Sequence, residues 1–165
     1  MRYAYYPGCS LHASAQEYDI SLRAVCQRLG IELVEVQDWS CCGATPASTL
    51  DPLLATALAA RNLALVGDGL ALMAPCSACY KNMRQAGLAL EKDRQLREQI
   101  GEILGERKLT QVPSVRHPLD IVVNDVGLDN LPLDSPLKGL RVACYYGCLI
   151  TRPKGGFDSP EDPQT

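Results

Sequence analysis

Three groups of cysteines, each placed just after a predicted β-strand, constrain this chain more than any other feature. Cys9 stands alone, Cys41 and Cys42 are adjacent and followed by Gly43, and Cys76 and Cys79 form a Cys-x-x-Cys turn. Thirty-one residues separate the first group from the second, and thirty-three separate the second from the third. Thiolates are soft ligands that favour iron–sulfur clusters or zinc. Four of them would complete a tetrahedral zinc site or a cubane cluster. A fifth, with two sulfurs on neighbouring residues, points to a less ordinary metal group.

The pattern around these cysteines alternates strand and helix. Residues 2–6 read as a strand ending at Pro7-Gly8, with Cys9 in the turn that follows. Ser14 and Glu17 have capping-box spacing, and Tyr18, Leu22, Val25, Cys26 and Leu29 share one helical face as far as Gly30. Residues 31–36 form a β-branched-rich strand, and the loop after it carries Trp39 and the Cys41-Cys42-Gly43 triplet. Asp51-Pro52 opens an Ala/Leu-rich helix running to about Val66. Residues 70–74 read as a buried strand stopped by Pro75, and Ala78 begins another helix. Residues 91–108 form a charged amphipathic stretch with Leu96, Ile100, Ile103 and Leu104 on its apolar side. Residues 118–126 fit a helix or a strand equally, and Gly127 ends them. The expected fold is therefore α/β, a small parallel sheet of Rossmann or flavodoxin type. In such a sheet the strand exits share one edge, where open sheets place their ligands.

Composition narrows the function classes. The chain has 165 residues, 47% hydrophobic and 21% charged, with eight cysteines and a net charge of −3. Its basic residues are scattered, which argues against nucleic acid as a partner. The N-terminal MRYAYYPGCSLH lacks the apolar core of a secretory signal, so the cysteines read as reduced and the compartment as cytoplasm. The most apolar stretch, residues 53–74, is interrupted by Arg61, Asn62, Asp68 and two glycines, so no membrane span is expected.

Near its end the chain begins again. The segment LRVACYYGC, residues 140–148, echoes RYAYYPGC, residues 2–9, and aligns Cys148 with Cys9. This divides the chain into a first domain at 1–127, a linker at 128–139 containing Pro132 and Pro136, and the start of a second copy at 140–165. By the first copy's spacing the next cysteine pair would fall at roughly position 180. The sequence thus reads as a piece of a longer, duplicated protein.

Other readings of single residues stand beside these. The cysteines could build a structural zinc site from four sulfurs, or a redox dithiol from Cys76 and Cys79 alone. Cys26 falls on an apolar helix face and Cys144 inside a predicted strand, so both read as packing residues. Cys148 reads as a free thiol here and a ligand in the intact protein. His12 could donate a hydrogen bond to a cluster sulfur or simply occupy the loop, and His117, before Pro118, reads as a capping residue.

With YYPGCSLH at 5–12, CCGA at 41–44, APCSACY at 74–80 and the stretch LKGLRVACYYGCLITRP at 137–153, the sequence resembles the CCG cysteine-rich domain family, in particular the B subunit of heterodisulfide reductase and its relatives. The resemblance implies that Cys9, Cys41, Cys42, Cys76 and Cys79 ligate one non-cubane [4Fe-4S] cluster. A second cluster would belong to the second domain, whose first ligand would be Cys148. It further implies reduction of a thiol-coenzyme disulfide at these clusters. Electrons would come from a ferredoxin-like subunit with cubane clusters and, beyond it, a flavin-containing subunit. The alternative within redox enzymes is an electron-transfer subunit of a glycolate, lactate or glycerol-3-phosphate oxidising complex, or of a fumarate-reducing one. These carry a ferredoxin-type segment ahead of the first domain in several cases, and a motif starting at residue 9 favours the separate-subunit arrangement. A zinc-stabilised scaffold without catalysis is the alternative of a different class.

Overall fold

The computed structural model describes residues 1–44, 47–67, 69–107, 109–132, 139–143 and 147–151. Among them four short strands, β1 (Arg2–Tyr5), β2 (Glu32–Glu35), β3 (Leu72–Met73) and β4 (Val115–Arg116), form one parallel sheet in the order β2-β1-β3-β4. This is the flavodoxin-type order, and its topological switch lies between β1 and β3, the two strands that lead to Cys9 and Cys76.

Successive residues of the central strands serve opposite faces, as the two-residue period of a strand requires. Tyr3, Tyr5 and Met73 face one side and pack with Leu22, Cys26, Ile31 and Ile121. Ala4, Tyr6, Leu72, Ala74 and Val115 belong to the other, with Ala59, Leu63, Cys79, Tyr80, Met83 and Ala86. Helix α2 (Gln16–Arg28) and α7 (Pro118–Ile121) cover the first face; α4 (Pro52–Leu63) and α5 (Ser77–Lys92) cover the second. Outside α4 and α5 lies α6 (Arg94–Leu104), which inserts Ile100 beside Ala57, Ala60 and Leu90. The short α1 (Gly8–His12) and α3 (Ala47–Leu50) complete this set.

Several local expectations are met in detail. Asp51 caps α4 by accepting from the Leu53 and Leu54 backbone N–H groups at 2.8 and 3.2 Å, with Pro52 at the first helical position. The stretch 91–108 is split between two helices: Glu91 and Lys92 end α5, and Asp93 leaves helical geometry and caps α6 through the Leu96 N–H. The ambiguous segment at 118–126 is helical: α7 passes into a π-helical turn at Val122–Val126, closed by Gly127 at φ +81°. Arg116 and Tyr3 both bind Asp125 and so hold this turn against the sheet edge.

Others are corrected. Cys9 does not sit in an open turn but in α1, and the Ser14–Glu17 capping box does not form. The chain enters α2 through backbone bonds from Ala13 to Cys9 and from Ala15 to Ser10, so Ala15 occupies the cap with no side-chain bond. The apolar stripe of α2 is also narrower than expected. Leu22 and Cys26 are buried, but Tyr18 and Val25 are exposed. Strand β4 has only two residues between Pro113 and Pro118, too short to show a period.

Beyond Gly127 a 3₁₀ turn spans Leu128–Asn130. Residues 140–143 carry no strand pairing, and α8 (Cys148–Thr151) lies against α5. Residues 133–138, half of the expected linker, lie outside the described residues, as do Cys144, the Tyr145-Tyr146 echo and the tail from 152. No helix among those described is long and apolar enough to cross a membrane.

Candidate functional site

The three cysteine groups leave the sheet together. Pairing continues one residue past each strand, through Val36 N–H to Tyr5 O, Tyr6 N–H to Met73 O and Ala74 N–H to Arg116 O, at 2.9 to 3.0 Å. After β1 the chain turns at Gly8, whose φ is +69°. A Cβ there would stand 3.0 Å from the Tyr6 ring and 3.2 Å from Cys79 Sγ, so both the turn and the close sulfur demand glycine. Cys9 follows at the second position of α1 and is exposed.

The loop after β2 has no regular structure of its own and is held by side chains of α4 and α5. Asp38 takes a left-handed φ of 57°, which its short polar side chain tolerates. Arg61 grips Asp38 through both its carbonyl at 2.7 Å and its carboxylate at 2.8 Å. The adjacent Asn62, fully buried, accepts from Ser40 N–H at 2.8 Å and donates to the carbonyls of Ser40, Leu58 and Cys41. Tyr6 donates to the same Ser40 carbonyl at 2.7 Å, and Asn82 donates to the Cys42 carbonyl at 2.7 Å. Gly43 has φ +74°, and a Cβ there would stand 3.2 Å from the Leu58 side chain and 3.3 Å from the Ala55 carbonyl oxygen. The result separates the two neighbouring sulfurs: Cys41 is exposed and Cys42 is buried.

Cys76 and Cys79 are placed by a helix instead. Cys76 is the extended residue before α5, and Cys79 lies in its first turn, where backbone N–H groups have no partner within the helix and favour negative charge. The turn before it is tied to β4 by His117. Its Nδ1 accepts from the Leu119 N–H at 3.3 Å, so Nε2 carries the proton and donates to the Pro75 carbonyl at 3.1 Å. Burial holds this imidazole neutral, with a pKa below the usual histidine value, and Tyr80 packs edge-on to its ring. His117 does cap α7, as expected, and has this second role.

These routes converge. Cys42 Sγ and Cys79 Sγ are 3.2 Å apart. A bond with Cys79 lowers the Cys76 thiol to about 6, aided by the Cys79 and Ala78 backbone N–H groups and opposed by burial. Cys79 bonds with both Cys42 and Cys76, which, with burial, pushes its own pKa far up; the same Cys79 bond lowers Cys42. Cys9 is raised by burial and by the charges of Cys41, Cys42 and Cys76. Cys9 thus lies within electrostatic reach of Cys41, Cys42 and Cys76, and Cys79 within bonding reach of Cys42 and Cys76. Among the described residues no group of three or more His, Cys, Asp or Glu side chains is arranged to hold a single metal ion. Two thiolates on one tetrahedral ion with bonds of about 2.3 Å stand about 3.8 Å apart, so Cys42 and Cys79 would separate slightly on ligation.

The remaining candidates lie elsewhere or at the margin. Cys26 is buried in the opposite face, as expected of a packing residue. Cys148 is exposed at the start of α8. His12 stands edge-on to Trp39 at 5.6 Å, and Trp39 edge-on to Tyr6 at 5.5 Å, forming an aromatic wall beside α1. Sequence reasoning missed Arg61, Asn62 and Asn82. Their signal was present: Arg61 and Asn62 interrupt an otherwise apolar helix, and both reach for the cysteine loop. Ser40 was missed too. Its Oγ is buried without a hydrogen-bond partner, which costs about 1–3 kcal/mol.

Residues 3–84 match the model of the CCG cysteine-rich domain. Over 98% of its length the chain is 35% identical to the 8-methylmenaquinol:fumarate reductase membrane anchor subunit of Wolinella succinogenes. It is 30% identical, over 99% of its length, to a protein of Archaeoglobus profundus described as similar to the B subunit of heterodisulfide reductase. The B subunit of the ferredoxin:CoB-CoM heterodisulfide reductase of Methanosarcina mazei is 27% identical over 81% of the chain. The chain spans 58%, 57% and 48% of the lengths of these three relatives. Residues 3–84, which contain Cys9, Cys41, Cys42, Cys76 and Cys79, carry the CCG cysteine-rich domain, and over most of its length the chain is similar to proteins named as B subunits of heterodisulfide reductases or as like them.

Proposed function

We propose that this chain is the iron–sulfur part of a redox-enzyme subunit, with Cys9, Cys41, Cys42, Cys76 and Cys79 holding one non-cubane [4Fe-4S] cluster. The observation that supports this reading is that each cysteine group follows a strand of one parallel sheet at the same end, with Cys42 Sγ and Cys79 Sγ 3.2 Å apart. The donor set fits such a group. The charges that act on Cys9 come from three other cysteines, and those raising Tyr6 come from Cys79, Cys42, Cys41 and Cys9. Sulfurs that oppose one another's ionisation become compatible as thiolates when a cationic iron core lies among them. Bound there, such a cluster supplies one-electron redox chemistry. Gly8 keeps space beside Cys79, Asn62 and Asn82 fix the Cys41-Cys42 backbone, and His117 fixes the turn before Cys76.

The enzyme reaction we favour is reduction of a thiol-coenzyme disulfide to two thiols, which consumes two electrons and two protons. In the whole protein Cys148 would open the ligand set of a second cluster in a second domain beginning at residue 140, after a linker at 128–139. Electrons would reach it from a cubane-cluster subunit and a flavin-containing subunit in the cytoplasm. A second reading has an observation of its own. The relative at 35% identity is named as a subunit of a menaquinol:fumarate reductase, which supports electron transfer between a quinol and a fumarate-reducing partner. The two separate by assay of the complete complex purified without oxygen. Disulfide-dependent oxidation of a reduced viologen supports the first; quinol-dependent fumarate reduction without it supports the second. Colourless protein with stoichiometric zinc and no acid-labile sulfide would overturn both and leave a scaffold.

A further inference from the structure

We infer that Ser40 is a hydrogen-bond donor to the sulfurs of this site and sets the reduction potential of the group they hold. The inference rests on the iron–sulfur reading above and assigns a role to a residue outside its ligand set. Ser40 has the most constrained backbone of the cysteine loop: its N–H is given to Asn62 Oδ1, and its carbonyl takes bonds from Tyr6 Oη and Asn62 Nδ2. Those three bonds fix where its Cβ lies. Its hydroxyl is nevertheless a buried polar atom with no partner. A fold that satisfies every polar atom of Asn62 around the same residue leaves this one donor over.

The residues that follow it in the chain carry sulfur. Cys41 is the next residue, Cys42 the one after, and the Tyr6 phenol bonded to the Ser40 carbonyl feels the charges of Cys79, Cys42, Cys41 and Cys9. A buried hydroxyl with no protein partner can donate to a group bound beside it, and a sulfide or thiolate bearing negative charge is the acceptor that an iron–sulfur group would bring. Hydrogen bonds to cluster sulfurs stabilise the more negative, reduced state, and so raise the potential. Tyr6 cannot take this role, because its hydroxyl proton is already committed to the Ser40 carbonyl.

The test is a redox titration, followed by electron paramagnetic resonance, of the full-length protein purified anaerobically as wild type, Ser40→Ala and Ser40→Thr. We expect Ser40→Ala to load iron and sulfide as wild type does and to have a lower midpoint potential. The expected change in the oxidised-to-reduced ratio at fixed potential is threefold to tenfold, tenfold being about 59 mV for one electron. Ser40→Thr, which keeps the hydroxyl, should restore the wild-type value. Equal potentials in wild type and Ser40→Ala at full loading would overturn the role. So would a Ser40→Ala shift that Ser40→Thr does not reverse, because the effect would then be one of packing. Absence of iron and sulfide from the wild-type protein would instead refute the proposed function.

Discussion

The two paired cysteine groups are held in opposite ways. Cys76 and Cys79 inherit their positions from a sixteen-residue helix whose core face includes Tyr80, Met83 and Leu90. Cys41 and Cys42 stand on a loop without regular structure, and Arg61, Asn62, Asn82 and Tyr6 hold it by side-chain bonds. A helix distributes the placement of a residue over many backbone bonds, so no single side chain decides it. A loop concentrates the same task in a few groups. The difference implies that stability and site geometry can be damaged separately.

The largest effect is expected at the sulfurs. Cys42→Ser should remove most of the bound iron and sulfide, whereas Cys26→Ser, on the other face of the sheet, should keep both and lose only stability. Iron and sulfide analysis of anaerobically purified full-length protein checks this, and equal loss from both would break the assignment. Leu90→Ala deletes a side chain that is 1% exposed and should cost about 2–5 kcal/mol. Folded molecules should still hold iron as wild type does. Asn62→Ala should cost less, about 1–3 kcal/mol from the groups it leaves unpaired, yet lower iron content per folded molecule. Denaturant melts set beside metal content separate these two outcomes, and matching behaviour would erase the distinction between helix-held and loop-held sulfurs. Asp51→Ala removes the cap of the helix that carries Asn62, for about 1 kcal/mol and unchanged iron. Its melt against wild type reads this directly.

The smallest effect is one of pH, far from the cysteines. Tyr3 donates to Asp125 and Arg116 pairs with it, and both lower its carboxyl pKa against a smaller opposing effect of burial. A depressed carboxylate adds stability above its unfolded pKa of about 3.9, and that stability is lost as pH falls through the lower folded value. Asp125→Asn should therefore flatten the acid limb of a stability–pH curve below about pH 4 and leave neutral iron binding unchanged.

Much of this arrangement can be read from sequence because strands and cysteines are local signals. Strands at the start of the chain and near residues 31 and 72 show their apolar runs, and each is followed by its cysteine group. Asp51-Pro52 announces a helix by a rule that needs no tertiary partner. Strand β4 has two residues, and its pairing with β3 exists only once the sheet has formed. The Ser14–Glu17 pattern misleads for a related reason: backbone bonds from α1 occupy the entry to α2. At the site, the five sulfurs were legible as a spacing, but the amides that aim them were not. Asn62 and Asn82 act on residues more than twenty positions away. In sequence they are single polar residues on helices, and only folding shows what they hold.

The central claim is that three cysteine groups from three strand ends surround one iron cluster. Anomalous scattering at the iron edge from anaerobic crystals of the full-length protein tests it most directly. The account predicts one compact group of iron peaks bonded to Cys9, Cys41, Cys42, Cys76 and Cys79 together. Iron absent from this position, or one of these sulfurs directed away from it, would contradict the account.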